Sequence, residues 1–386
     1  MRRITRLSAL LVLAFTFTTA HAHTADPAAV FPELEPITIE NAARLMQLPG
    51  ELTDVNKGFD VSPDGRQIAV ARPDGVYLYD MGSFETPVAI FEIPDADDVY
   101  GPQFSPDGKL LSISTIDLGS EGQLTQLWTL HTKTILQEFR TNWPLNGGAT
   151  FSPDGHFLAG YDTSYYTCQG GCDIASSLFV WTADRQAEAF CSYYNCHGRY
   201  GIGGFAFTPD SKALLWSMFD FSGGDIQNGE YFWNAVDLVP TDDEENTGES
   251  TAVIPPGLES HFQDRTGPFA GDINSIWFSP DGLRLVARNR EQSLDTVWDV
   301  ETGTEILALP QGVRIAAFLP DQTILVVDDT QHTESILQVE TGEQVILFDN
   351  LNDNEFISPA NSEVKLLVSW ENFETVHFYG VPAKSE

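Results

Sequence analysis

The chain has 386 residues, with 56 Asp and Glu against 20 Lys and Arg and a formal charge of −36. That balance excludes a basic nucleic-acid binder, which needs clustered cations to neutralise phosphates, and it disfavours docking on an anionic membrane surface for the same reason. A hydrophobic fraction of 42%, with 25 Phe, 11 Tyr, 8 Trp and 31 Gly, argues against wholesale disorder and favours sheets and turns over long helices.

Residues 1–22 read as an export signal. Arg2, Arg3 and Arg6 form a positive start, Leu7 to Ala20 is apolar apart from Ser8 and a few threonines, and Ala20-His21-Ala22 fits a small-x-small cleavage site. The apolar stretch is short for a membrane span of about 20 residues, so an uncleaved anchor is the weaker reading. Cleavage removes three arginines and no acid, which takes the charge from −36 to about −39. Such a chain is expected in the periplasm or outside the cell. Residues 23–36, rich in Ala and Pro, read as a flexible tether.

From residue 37 onward a repeat organises the chain. Val61-Ser62-Pro63-Asp64-Gly65 recurs as Phe104 to Gly108, Phe151 to Gly155 and Phe278 to Gly282. Looser copies run from Phe207 to Ser211, from Phe318 to Gln322 and from Ile357 to Asn361. The anchors before each Pro are Ser62, Ser105, Ser152, Thr208, Ser279, Leu319 and Ser358, spaced by 43, 47, 56, 71, 40 and 39 residues. A period near 40–50 points to one small β unit repeated, none of which buries its faces alone. A stack of separate small domains is disfavoured on that ground.

Each anchor is a turn with a mechanism: Pro sets φ, Asp bonds its own backbone, and Gly supplies a φ that other residues resist. A second strand follows at once, as in Gln67 to Ala71 and Leu283 to Ala287. A third comes after a variable loop, as in Val76 to Asp80 and Thr296 to Val300. A fourth follows a short turn, clearest at Glu301-Thr302-Gly303 and Glu340-Thr341-Gly342. Four short antiparallel strands in each of seven degenerate repeats resemble the WD40-like β-propeller repeat family. Trp298-Asp299 is that family's dipeptide, and Tyr79-Asp80, Trp128-Thr129, Trp181-Thr182 and Val236-Asp237 stand in its place elsewhere.

The resemblance implies an all-β, seven-bladed propeller over residues 37–382. The last unit stops after its third strand, so an N-terminal strand from roughly Ala43 to Leu48 is expected to close the ring; a local helix from Ile39 to Leu48 is the alternative. The resemblance also implies a scaffold that binds protein partners. Secreted propellers resemble hydrolases and lactonases too, so an enzyme with a central-channel site is the rival. No Gly-x-Ser-x-Gly, His-Glu-x-x-His or phosphate-cradling loop supports it, and no catalytic residue or cofactor is assigned.

Insertions mark where the repeat departs from its plan. They are the loop Asp162 to Asp173, the link Cys191 to Gly201, and the long fourth unit with Phe219 to Gly229 and Asp242 to Glu245. In the propeller strand order the first two emerge on one face. That groups Cys168, Cys172, Cys191 and Cys196, which export makes disulfide candidates, with three possible pairings. A zinc site is disfavoured by loose spacing, and a redox dithiol by the lack of Cys-x-x-Cys. Tyr165, Tyr166, Tyr193, Tyr194 and Tyr200 lie in or beside the same loops, either as a binding face or as packing between the inserts. Asp220, Asp225 and Glu230 are weak calcium candidates, because no complete calcium loop closes around them. The acidic charge favours a basic protein partner.

Overall fold

The computed structural model describes residues 31–384 except 56, 94–95, 97, 118–121, 142–144, 146–147, 169–170, 184–189, 194–199, 221–230, 239–257, 259–260, 262–265, 270–272, 290–291, 320–322, 349–354, 360–364 and 372–373. Two N-terminal strands, β1 (Leu34–Glu35) and β2 (Met46–Leu52), precede the first repeat. Blade one is β3 (Phe59–Val61), β4 (Gln67–Arg72), β5 (Gly75–Asp80) and β6 (Ala89–Glu92). Blade two is β7 (Asp98–Phe104), β8 (Leu110–Asp117), β9 (Gly122–Thr129) and β10 (Thr134–Thr141). Blade three is β11 (Thr150–Phe151), β12 (Phe157–Cys168), β13 (Gly171–Thr182) and β14 (Phe190–Tyr193). Blade four shows three strands among the described residues, β15 (Tyr200–Phe207), β16 (Ala213–Asp220) and β17 (Tyr231–Asp237). Blade five is β18 (Ile273–Phe278), β19 (Arg284–Asn289), β20 (Leu294–Asp299) and β21 (Glu305–Ala308). Blade six is β22 (Val313–Leu319), β23 (Thr323–Asp328), β24 (Thr333–Gln338) and β25 (Gln344–Phe348). Blade seven is β26 (Glu355–Pro359), β27 (Leu366–Glu371) and β28 (Thr375–Pro382).

The seven antiparallel sheets form the expected seven-bladed propeller, and β2 completes blade seven by pairing with β28. The closing strand covers Met46–Leu52, with a 3₁₀ turn at Ala42–Arg44 where a longer helix was the alternative. Leu34 and Glu35 extend the same edge of β28, opposite Pro382 and Val381. Arg44 fastens this closure. Its guanidinium bonds Glu35 at 3.0 Å and also the carbonyl of Pro382. The Arg44 bond holds the Glu35 carboxyl below its usual range.

The apolar side chains explain the ring. Along β4 four successive residues, Ile68 to Ala71, are fully buried, because a blade has neighbours on both faces. Ile68 and Val70 pack with Val368, Val376 and Phe378 of blade seven, while Ala69 and Ala71 pack with Val99, Phe104 and Leu111 of blade two. The same division recurs around the ring, which gives one apolar core per seam.

Each Pro-Asp-Gly turn carries the same hydrogen bonds. The Ser or Thr hydroxyl donates to the Asp carboxylate two residues on, as Ser62 to Asp64, Ser105 to Asp107, Ser152 to Asp154, Thr208 to Asp210 and Ser279 to Asp281. That hydroxyl oxygen accepts the amide five residues on, at 2.9 Å in all five. Burial works against the charged form at Asp107, Asp154 and Asp210, yet the hydroxyl, amide and Lys or His bonds outweigh it and hold these carboxyls low. These aspartates therefore build turns. The turns also touch around the ring, since a Cβ at Gly282 would lie 3.1 Å from Pro209 of the preceding blade. In blade four Ser211 takes the glycine's place at φ +58 and accepts the Asp154 amide of blade three. Ser152 is wholly buried. Ser152→Ala strands the Phe157 amide and is expected to cost about 1–3 kcal/mol in urea unfolding, and a neutral result would refute the structural role of the hydroxyl.

Candidate functional site: the arm of blade three

Strand alternation sorts the loops into two faces. The Pro-Asp-Gly turns and the third-to-fourth strand turns lie on one, the turn face. The second-to-third strand connections and the links between blades lie on the other, the link face. On the link face the insert of blade three is an ordered hairpin where a loop was expected. The strands β12 and β13 each run for 12 residues, paired without a break from Phe157↔Thr182 to Cys168↔Gly171. In blades one and five the second strand ends ten residues past the anchor, at Arg72 and Asn289. Asp162 is the matching position in blade three. Beyond the Asp162↔Ser177 pair, six further pairs form an arm. The alternation of Thr163, Tyr165 and Thr167 and the β-forming Tyr166 suit an extended strand, which the glycines at the tip obscured in the sequence.

The expected disulfides are corrected here: among the described cysteines none lies near disulfide distance of another. Cys168 is opposite Gly171 and Cys172 is opposite Thr167, so the two stand one step out of register. Neither cysteine is therefore the cross-strand partner of the other. Cys191 lies on β14, whose register with β13 runs from Leu178↔Tyr193 to Val180↔Phe190. That places it at the inner end of the arm, about seven residues along β13 from Cys172, or roughly 20 Å at strand rise. Cys196 falls outside the described residues.

The tyrosines are distributed along this region. Tyr165 and Tyr166 are on the arm, opposite Ile174 and Asp173. Tyr193 is opposite Leu178 at its base, and Tyr200 begins blade four opposite Asp220. Tyr194, Asp225 and Glu230 lie outside the described residues. Among the described residues no three His, Cys, Asp or Glu side chains gather into a group that could hold a metal ion. No helix among them is long and apolar enough to cross a membrane.

The base of the arm is polar and enclosed. Asp162 is 2% exposed, and its carboxylate accepts the Ser177 amide at 2.8 Å. Burial pushes its carboxyl up to about 6, with the Ser177 bonds pulling the other way. Leu145, in the link from blade two, bridges to Asp162, and its amide donates to the Gln123 side chain. Gln123 also accepts the Tyr100 hydroxyl and donates to Thr125, which shares a hydrogen bond with Ser114 at 3.3 Å. Gln123, Thr125 and Ser114 are all buried. On the other side the Ser176 hydroxyl oxygen accepts the Ile202 amide of blade four at 3.2 Å. The arm therefore springs from a point held by both neighbouring blades.

Nearer the axis, the first strands of blades two, four, five and six each carry a register shift towards the link face, at Tyr100/Gln103, Ile202/Gly204, Ile273/Ser275 and Ile315/Ala317. A bulge bends its strand and re-aims local groups. Here the Tyr161 hydroxyl reaches the Gly203 carbonyl at 3.4 Å and the Ser217 hydroxyl reaches the Asn274 carbonyl at 3.3 Å. Side chains also cross seams. Asp60 accepts the Phe104 amide of blade two at 2.7 Å, Gln103 accepts the Phe151 amide of blade three at 3.2 Å, and Asp295 accepts the Ile315 amide of blade six at 2.6 Å. Sequence reasoning passed over these residues. Two of them share a signal, because Asp60 and Gln103 each directly precede the apolar residue of an anchor.

The chain is similar to a chain in the solved structure titled "Crystal Structure of Mitotic Checkpoint Complex", with 14% identity and a TM-score of 0.49 over 98% of this chain and 99% of that one. No family model matches the sequence, and no curated protein matches it.

Proposed function

We propose that this chain is an exported interaction scaffold of the WD40-like type, and that its link face, with the blade-three arm at its edge, receives a basic protein partner. The observation that carries this reading is the arm itself, six strand pairs that leave the plan of the repeat. The arm carries Tyr165 and Tyr166, and tyrosine is a residue type that gives broad contact area with few rotamers to freeze. The charge of −36 supports a cationic partner, drawn by attraction that weakens as salt is raised. The arginine-led apolar N-terminus supports export, with a mature start at His23.

The test is a pull-down with the mature chain from its own envelope and secreted fractions, beside a chain in which residues 163–176 are replaced by Asn-Gly. Thermal unfolding of both chains establishes that the ring is intact. Partners retained by the full chain are expected to be lost on the shortened one and to elute as salt rises. An unchanged partner set on the shortened chain overturns the assignment to this face.

A further inference from the structure

We propose that Asp162 is a proton-controlled hinge at the root of the blade-three arm: neutral, it keeps the arm seated between blades two and four, and ionised, it loosens that seat. The inference concerns the motion of the arm and is independent of what the arm binds.

The geometry places the carboxyl at the pivot. Asp162 occupies the last position of an ordinary second strand, and residues 163–168 continue past it into the arm. Its donors come from Ser177 directly across the ribbon, and the Leu145 bridge lies on its blade-two side. Ser176, one residue from that partner, holds the Ile202 amide of blade four. Any change at Asp162 therefore acts at the two adjacent pairs, Asp162↔Ser177 and Thr163↔Ser176, that carry these contacts to both neighbours.

The surrounding titratable and charged groups leave Asp162 without a cation partner among the described residues. Tyr161, beside it on β12, ties its hydroxyl to Gly203. Tyr100 of blade two reaches it only through Gln123 and Leu145, and burial, with the Asp98 charge, pushes that hydroxyl well above its usual value. Beyond Tyr100, Lys57 is engaged by Asp98 at 2.9 Å. A carboxylate enclosed in this way has its charge opposed by lost hydration and supported, among the described residues, by Ser177, which is why its titration moves up to about 6.

The sign follows from linkage. A seated Asp162 with a raised pKa, compared with an open one near the ordinary value of 3.8, favours the seat fully below about pH 4. That preference is lost as pH rises to about 6 and is level above it. About two pH units of difference correspond to roughly a hundredfold change in the opening of the root.

Hydrogen–deuterium exchange of the intact protein from pH 3.5 to 8, followed on peptides spanning 157–182, tests this. Rates are corrected for intrinsic exchange and referred to blade-six peptides in the same samples. Protection at the root of the wild-type arm is expected to fall by roughly a hundredfold between pH 4 and 6 and then hold steady. Asp162→Asn should flatten the curve. Ser177→Ala removes a bond that favours the ionised form, so the fall should continue past pH 6; it also serves if Asp162→Asn fails to fold. A flat wild-type curve, an unchanged fall in Asp162→Asn, or an unmoved limit in Ser177→Ala each overturns the hinge.

Discussion

Arg288→Ala is expected to destabilise the ring by about 3–5 kcal/mol, because it leaves a carboxylate buried in the seam between blades five and six without its cation. Arg288 donates to both oxygens of Asp295, at 2.8 and 2.7 Å, and to the Ile315 carbonyl at 2.9 Å. Asp295 in turn accepts the Ile315 amide, so the pair grips both backbone groups of one residue in the next blade. The guanidinium also lies over Trp277, 5.0 Å from the ring centroid. The Asp295 bond holds Arg288 more firmly protonated than an ordinary arginine. The Asp295 side chain is 2% exposed, and water has little room to replace the lost cation. Arg288→Lys keeps the charge and loses the fork, so a smaller cost of about 1–2 kcal/mol is expected. Urea unfolding of the full chain measures both. A cost below about 1 kcal/mol for Arg288→Ala would show that solvent reaches Asp295 and that the grip on Ile315 contributes little.

The second large effect depends on pH. Asp60 spans the seam between blades one and two through the Phe104 amide, and its second oxygen accepts the Val61 amide at 2.9 Å. At the next seam Gln103 performs the same task with a neutral amide. At the blade-five seam the carboxylate is compensated by Arg288. Among the described residues the donors to Asp60 are backbone amides, and burial pushes its carboxyl up to about 7 against the pull of those two amides. Its folded pKa is raised, so its contribution to stability is complete below about pH 4, is lost as pH rises, and is gone above about pH 7. Asp60→Asn imposes the neutral solution used by Gln103. Relative to wild type, the variant is expected to gain up to roughly 4 kcal/mol between pH 4 and pH 8. The exposure that Asp60 retains makes that figure a ceiling. Stability measured in urea at pH 4, 6 and 8 decides the matter, and parallel curves for the two proteins would show that Asp60 is solvated.

The arm was legible only in part. The 56- and 71-residue spacings located the departures from the repeat, and they brought Tyr165, Tyr166 and the cysteines into view. Their form was hidden because Gln169-Gly170-Gly171 reads as loop, while the pairing of Thr163 to Cys168 with Gly171 to Ser176 is a matter of register. The cysteine expectation failed for the same reason. Proximity along the chain places Cys168 and Cys172 on one hairpin, but the register pairs each with another residue.

What the sequence determined by itself is what short-range physics governs. Ser-Pro-Asp-Gly specifies its turn through bonds that reach no further than five residues, and the seven anchors, four of them with that sequence, count seven blades. The short last unit and the apolar start at residue 37 likewise foretold the closure of β28 by β2, since an unpaired edge demands a partner. The tertiary structure decided what joins residues of different blades. Asp60 meets Phe104, Gln103 meets Phe151, and Arg288 with Asp295 meets Ile315 only because the ring sets one blade's side chains against the next blade's backbone. These contacts carry no local signature, because no periodic pattern encodes which polar side chain will find a buried amide some twenty to fifty residues away.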